Sequence, residues 1–533
     1  MSKPFTPSPQ QEAIFADIAE GEGHTIVEAR AGSAKSTSIE MGLAYLPKNT
    51  SALVVAFNKP IADEMKIRVK AAQDAKKIPA GVAVSTLHSY GLRQLSYALP
   101  KRPTVDKDGE KIREILIPLL TEAWKRWEPE TPEDKKPTLD DVLWGSRTPA
   151  KKLLSMAKSA LAMKPEAIDA LIDNYELPLS PSLSRAALVG VTHRALDLCL
   201  ENQDVVDYDD MIFFPCALKM TMETYDRVFI DEAQDTSVSQ VKLALKACEK
   251  NGRITAVGDN FQAIYQFRGA GSDSIDSIRK KLDAKTLKLT VSYRCAKKIV
   301  ELAQTWVPDF EAAPDAPPGI VREIELGYAN PEAGDFVISR TNAPLVSLFF
   351  KLVKEGKRVA IQGRDIGARL RTIVTKADRG PTKGSVPAML YNVTAWREKE
   401  IARLEKLERD TDNVRDSVGC VFAIAEDTAT VDEVYQRIDR LFEDDPLNKD
   451  ASRIVLTSAH RGKGLQRERV WILRDTFMQS RPRRNKTGGV ARDENGKMLW
   501  DPPGQVDRNL IYVAVSRAQR ELIQIRGLPG GEE

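Results

Sequence analysis

Cysteine is scarce and never closely paired along this chain. Five cysteines in 533 residues (Cys199, Cys216, Cys248, Cys295 and Cys420), with no Cys-x-x-Cys spacing, suggest neither a disulfide framework nor a thiolate metal site. No apolar run is long enough to span a bilayer. The first ten residues are polar and proline-containing, without signal or transit character. An excess of one charge is also missing: 79 Lys plus Arg face 76 Asp plus Glu, a formal charge of +3. A nucleic-acid partner would therefore need a local basic groove, because the net charge does not demand one. The expectation is a soluble protein of a reducing, cytoplasmic compartment with no membrane contact. At 42% hydrophobic and 29% charged the composition is globular, and the length suits about two to four domains.

The chain is organised as two alternating patterns. Residues 24–29 and 52–56 read as buried strands, with helices after Lys35 and after Pro60, and 227–230 and 253–257 continue the series. Short apolar runs alternating with helical stretches argue for a parallel sheet with crossover helices. Between them, Ile112, Ile115, Leu116 and Leu119 fall at helical spacing, 128–137 is charged and proline-rich, and 153–161 and 186–200 read as helices. A helical insertion, or a separate helical domain on a linker, fits that block. A second α/β pattern begins near Leu287, with strands at 335–339 and 359–362 flanking a helix at 345–354. A charged helix marked by Ile401, Leu404 and Leu407 follows, with Glu405 and Arg409 at i,i+4, before a strand at 453–457. The expected division is a first core domain at 1–91 and 206–286 with an insertion at 92–205. A second core follows at 287–364 and 451–533, with a short helical insertion at 365–450.

The central chemical signal is Ala29-Arg30-Ala31-Gly32-Ser33-Ala34-Lys35-Ser36-Thr37. It follows a strand and opens a helix, the context a phosphate loop requires. Backbone N–H groups and a helix N-terminus favour anionic phosphate. Lys35 would reach the β- and γ-phosphates and the Ser36 hydroxyl would ligate Mg²⁺. The general pattern has Gly where Ala29 and Ala34 stand, and a methyl group at Ala34 narrows the backbone conformations available. Taken alone, the stretch also fits an ordinary Ser/Gly turn capping a helix.

A second signal is the apolar run 228–230 leading into Asp231 and Glu232. Carboxylates at a strand's C-terminal end sit where open α/β sheets bind ligands. Asp231 would hold Mg²⁺ and Glu232 would orient and deprotonate an attacking water; the plain alternative is a solvated acidic turn. The acidic run 207–210 reads as structural support for the first core.

With these residues the chain resembles the UvrD/Rep-like superfamily 1 DNA helicases. Gln10 resembles the Q motif that reads adenine; 56–59 resembles motif Ia and 85–89 motif Ib; 231–235 matches motif II. The long stretch 258–270 matches motif III, 292–294 motif IV, 457–466 motif V, with Gln466 where the family often has Glu, and 512–518 motif VI. The resemblance implies two RecA-like parallel-sheet P-loop core domains (fold class α/β), each carrying a mainly helical insertion. It implies catalytic Lys35, Asp231, Glu232, Gln262, Arg294 and Arg517. ATP would be held by Gln10, Ala31, Gly32, Ser33, Ala34, Lys35, Ser36, Thr37, Tyr293 and Gln466, and magnesium by Ser36 and Asp231. Arg294 and Arg517 would stabilise charge on the transferring phosphate, an effect worth roughly 10³–10⁵ in rate for an arginine finger.

Single-stranded DNA and single/double-strand junctions are the implied partners, met by Phe57, Asn58, Thr86, His88, Tyr265, Phe267 and His460. Tyr265 and Phe267 are the leading base-stacking platforms, with an ordinary core role as the alternative, and the two histidines could be structural. The basic stretch 481–489 reads as a duplex or protein contact, or as a solvated loop. The implied activity is 3′-to-5′ translocation with duplex unwinding, by a monomer serving repair or replication. A protein-stripping translocase, or a DNA-binding protein without turnover, are the rivals.

Overall fold

The computed structural model describes residues 6–127, 136–175, 177, 179, 182–264, 274–406, 411–442, 452–477, 481–482, 500–501 and 504–527. By internal contacts the chain divides into two compact units, residues 1–29 with 34–289, and residues 30–33 with 290–533.

The first unit is built on β1 (Thr25–Ala29), β2 (Ala52–Val55), β3 (Val82–Ser85), β4 (Tyr225–Ile230), β5 (Cys248–Gly258) and β6 (Lys285–Leu289). They form one sheet in the order β3-β2-β4-β5-β1-β6, parallel throughout. Strand side chains alternate between faces, and the sequence feeds both. Ile26, Leu53, Val228 and Ile254 enter one apolar cluster, while Val27, Val54, Phe229 and Val257 enter another. That double burial explains why the central strands read as unbroken apolar runs rather than alternating ones.

Between β3 and β4 lie, among others, α1 (Glu110–Lys125), α2 (Leu139–Ala160), α3 (Pro165–Asn174) and α4 (Arg185–Glu201). Their cluster, which includes Leu116, Leu153, Ile168 and Leu196, is separate from the two at the sheet. The 3.6-residue spacing noticed in α1 is its buried stripe: Ile112, Leu116 and Leu120 are buried, Ile115 and Leu119 half-buried. Helix α3 has no counterpart in the sequence reading. Residues 128–135 of the charged loop fall outside the described residues.

Where the chain returns toward the sheet, two lysines meet the acidic run. Lys111 Nζ lies 2.7 Å from Asp210, and Lys158 Nζ lies 2.8 Å from both Asp207 and Asp210. Asp207 and Asp210 are also bound to each other's backbone N–H, at 2.6 and 3.1 Å. The run thus ties α1 and α2 to the first turn of the next helix.

The second unit has β7 (Ile320–Glu325), β8 (Phe336–Ser339), β9 (Val359–Ile361), β10 (Ile454–Ser458), β11 (Arg467–Leu473) and β12 (Ala518–Arg526). The order is β7-β12-β11-β8-β10-β9, again parallel. Four helices lie between β9 and β10: α5 (Arg364–Ala377), α6 (Val386–Lys406), α7 (Asp412–Ala425) and α8 (Val431–Phe442). Here Val374, Met389, Val421 and Ile438 share one continuous core with Val337, Leu456 and Trp471 of the sheet. Arg409, the expected i,i+4 partner of Glu405, lies outside the described residues, as does Leu407. Two parallel sheets wound with helices meet the α/β expectation. Among the described residues no helix is long and apolar enough to cross a membrane.

Candidate nucleotide site

Strand β1 ends at Ala29, and the next helix, Lys35–Gly42, starts six residues later. The turn needs two left-handed residues, Gly32 (φ 71°) and Ala34 (φ 61°). Glycine adopts that region freely, whereas alanine pays about 1–2 kcal/mol. The strained alanine is held from behind. Ser38 Oγ donates to the Ala34 carbonyl (2.9 Å), and Gln11 Nε2 donates to Ser38 Oγ (2.9 Å). Gln10 is half-buried at the start of its helix, while the adjacent Gln11 is fully buried and makes this contact. Ser33 Oγ closes the loop on the Arg30 carbonyl at 2.8 Å. Thr37 is exposed.

Within the first unit, Lys35 and Ser36 meet the end of β4. Ser36 Oγ donates to Asp231 Oδ2 at 2.5 Å, and Lys35 Nζ to Glu232 Oε2 at 2.8 Å. Glu232 is itself left-handed (φ 52°), a kink that turns its side chain back toward Lys35. Burial works against the Lys35 charge, but Glu232, Asp259 and Asp231 outweigh it and hold its pKa above the ordinary lysine value. Burial, and then the charge of Glu232, push the Asp231 carboxyl up to about 6, opposed by Lys35 and Ser36.

The cluster continues inward. Gln234 Nε2 donates to Glu232 at 2.5 Å, and Gln234 Oε1 accepts the Asp259 N–H at 2.9 Å. Gln262 Nε2 donates to Asp259 Oδ2 at 2.6 Å. A Cβ on Gly258 would sit 2.5 Å from Gln234 Oε1, so only glycine lets β5 approach this amide. Gln234 and Asp259 were not among the residues given roles from sequence, although both stand inside motifs quoted there. They form the hydrogen-bonded link between Glu232 and Gln262.

In the second unit Arg517 is buried at 2% exposure, with Nε donating to the Val513 carbonyl (2.9 Å) and Nη2 to Ser516 Oγ (3.0 Å). Arg294 Nη1 donates to the Ser516 carbonyl at 3.2 Å, so both arginines converge on Ser516. Tyr293 and Gln466 are exposed.

The residues expected at DNA are dispersed. Phe57 is exposed. Asn58 and Thr86 each cap a helix, accepting the N–H of Ile61 (3.0 Å) and of Ser89 (3.2 Å). His88 is half-buried, and burial lowers its pKa. His460, in the second unit, is half-buried in the short helix Ala459–Gly462. Tyr265 and Phe267 lie outside the described residues, as do residues 483–489 of the basic stretch. Among the described residues no group of three or more His, Cys, Asp or Glu side chains is arranged to hold a metal. The pair of hard oxygens from Ser36 and Asp231 nevertheless suits Mg²⁺, which usually takes one or two protein ligands and keeps waters and phosphate oxygens for the rest.

A parallel sheet with a strand–loop–helix lysine beside paired carboxylates defines a P-loop nucleotide-binding protein. Residues 8–283, just over half of the chain, match the model of the UvrD/REP helicase N-terminal domain, and the chain belongs to that family. It is 27% identical over 305 residues to the ATP-dependent DNA helicase PcrA of Staphylococcus aureus, covering 53% of this chain and 37% of the relative. Similarity to the PcrA of Staphylococcus epidermidis is 27% over 320 residues, 56% of this chain and 39% of that one. The matched stretch thus spans little more than a third of the length of these relatives. Among solved structures, the arterivirus nonstructural protein 10 helicase aligns over 94% of this chain and 59% of its own, at 11% identity and a TM-score of 0.31. Its complex with DNA aligns at a TM-score of 0.30.

Proposed function

We propose that this chain hydrolyses ATP and uses the energy to move along single-stranded DNA, 3′ to 5′, opening duplex at junctions. The observation that carries the reading is the buried cluster in which Lys35 meets Glu232 and Ser36 meets Asp231. In that reading Lys35 gives up Glu232 for the β- and γ-phosphates when ATP enters. Freed of the lysine, Glu232 accepts a proton from the attacking water while Gln234 keeps its hydrogen bond to the Oε2 that Lys35 has left. Ser36 and Asp231 would hold Mg²⁺, which when bound neutralises charge on the phosphate oxygens. Arg294 and Arg517 would supply positive charge to the transferring phosphate and Tyr293 a stacking face for adenine. The path Glu232–Gln234–Asp259–Gln262 would report the state of the phosphate to motif III, where Tyr265 and Phe267 would stack bases.

We take the two units as the two cores of the motor, with residues 92–205 and 365–450 as their insertions, working as a monomer on cytoplasmic DNA in repair or replication. Measuring ATP turnover with and without a single-stranded oligonucleotide tests the motor. Tailed duplexes then test its direction: unwinding of 3′-tailed and not 5′-tailed substrates is expected. No stimulation by oligonucleotide would overturn the whole reading. Stimulated turnover without strand separation would leave a translocase that strips proteins from DNA.

A further inference from the structure

The second unit holds a cavity that the nucleotide chemistry does not use. It lies among α5, α6 and α7 and encloses about 530 Å³, within the roughly 300–1,000 Å³ usual for small-molecule sites. Its walls are apolar where Ile373, Val393 and the half-exposed indole of Trp396 face inward. Three cations line it as well, Arg369, Lys376 and Arg379, and none of its lining residues is acidic.

Other cations on these same helices have found acids: Arg371 pairs with Asp439 (2.8 Å) and Arg403 with Glu400 (2.6 Å). Among the described residues, the side chains of Arg369, Lys376 and Arg379 make no such pair. The wall between α5 and α6 is fixed, because Asn392 Nδ2 donates to the Ala377 carbonyl at 2.8 Å. An apolar space of drug-like size, floored by an indole and ringed by positive charge, is complementary to a flat apolar body with one anionic group.

We propose that this cavity is a binding site for a small aromatic anion. The ring system packs between Ile373, Val393 and Trp396, and a carboxylate, sulfonate or phosphate reaches Arg369, Lys376 and Arg379. Charge-assisted hydrogen bonds to the guanidinium groups orient the ligand, and contact with the indole adds the geometry-dependent attraction of aromatic pairs.

The test uses the full chain and 8-anilinonaphthalene-1-sulfonate, whose emission rises on entering an apolar site. One probe per chain is expected, undisplaced by saturating Mg-ATP. Reversing the exposed cations together (Lys376→Glu with Arg379→Glu) should weaken binding by about tenfold or more. Affinity for the uncharged analogue N-phenyl-1-naphthylamine should stay as it was. Should the reversal lower the melting temperature, Lys376→Gln with Arg379→Gln takes its place, with a smaller loss expected. Displacement by ATP, several equivalent probes per chain, or equal affinity in parent and reversed proteins would each overturn the proposal.

Discussion

The first unit contains two buried lysine–carboxylate clusters, and they are built to opposite ends. In one, Lys158 and Asp210 are 1% and 0% exposed, and Lys111 joins them, so two ammonium groups face two carboxylates. None of its own four residues is left-handed; the nearest left-handed positions, Gly109 and Leu161, lie at the ends of the helices that carry Lys111 and Lys158. In the other, Lys35 has Glu232 as its ion-pair partner, Glu232 is 23% exposed, and two non-glycine residues, Ala34 and Glu232, sit in left-handed strain. A saturated, sealed cluster on relaxed backbone fastens helices. A strained, partly open one is poised to exchange partners, and strain of this kind gathers at functional sites.

Substitution should separate the two roles. The largest effect is expected at the open cluster: Lys35→Ala should lower ATP turnover on the order of 10³-fold or more, while the melting temperature moves little. Glu232→Gln should slow hydrolysis by about 10²–10⁴-fold and leave nucleotide binding intact, seen as retained affinity for a fluorescent ATP analogue. At the sealed cluster the pattern should invert. Lys158→Ala leaves the buried Asp210 and the half-buried Asp207 beside a single remaining lysine, a defect of about 3–5 kcal/mol. Denaturant unfolding should report that loss, and the surviving folded protein should hydrolyse ATP at close to the parent rate. A Lys158→Ala protein as stable as the parent would erase the distinction.

Sequence made the open cluster far easier to see than the sealed one. Lys35, Ser36, Asp231 and Glu232 lie at the ends of apolar runs, where a parallel sheet delivers its loops to one edge. Their meeting therefore follows from topology. Lys111 and Lys158 stand on helices among many other charged residues, and no local pattern marks them as buried. Only the acidic run 207–210 announced a structural role. The helical insertions were legible as helical, yet nothing in their spacing told that the first has its own core while the second shares one with its sheet. That difference depends on which faces meet, a property of packing rather than of periodicity.

Acid should act on the open cluster. Burial and Glu232 raise the Asp231 carboxyl to about 6, above its ordinary value, so it takes up a proton at a higher pH than a free aspartate does. The sign is fixed by that direction: lowering the pH through about 6 removes the charge that would hold Mg²⁺. Magnesium-dependent nucleotide affinity should then fall by up to about tenfold per further pH unit. In Asp231→Asn the slope should vanish. An affinity independent of pH in the parent between about 7.5 and 5.5 would contradict the assignment.

The smallest expected effect probes the strain itself. Ala34 holds φ at 61°, a region that costs an alanine about 1–2 kcal/mol and a glycine almost nothing. Replacing it with glycine relieves that cost but frees the unfolded chain by about 0.4–1 kcal/mol. The difference leaves a net gain between about 0 and 1.6 kcal/mol, each kcal/mol corresponding to a rise of about 2–4 °C in melting temperature for a unit of this size. Because the Ala34 carbonyl is already held by Ser38 and Gln11, the loop should keep its shape and ATP turnover should change only a few-fold. The matching change at the relaxed cluster, Ala157→Gly inside α2, should do the reverse and lower stability by more than about 1 kcal/mol, since it loosens a helix interior and removes a buried methyl group. If Ala34→Gly instead destabilised the protein, the left-handed turn would not be a site of stored strain, and the contrast between the two clusters would rest on their exposure alone.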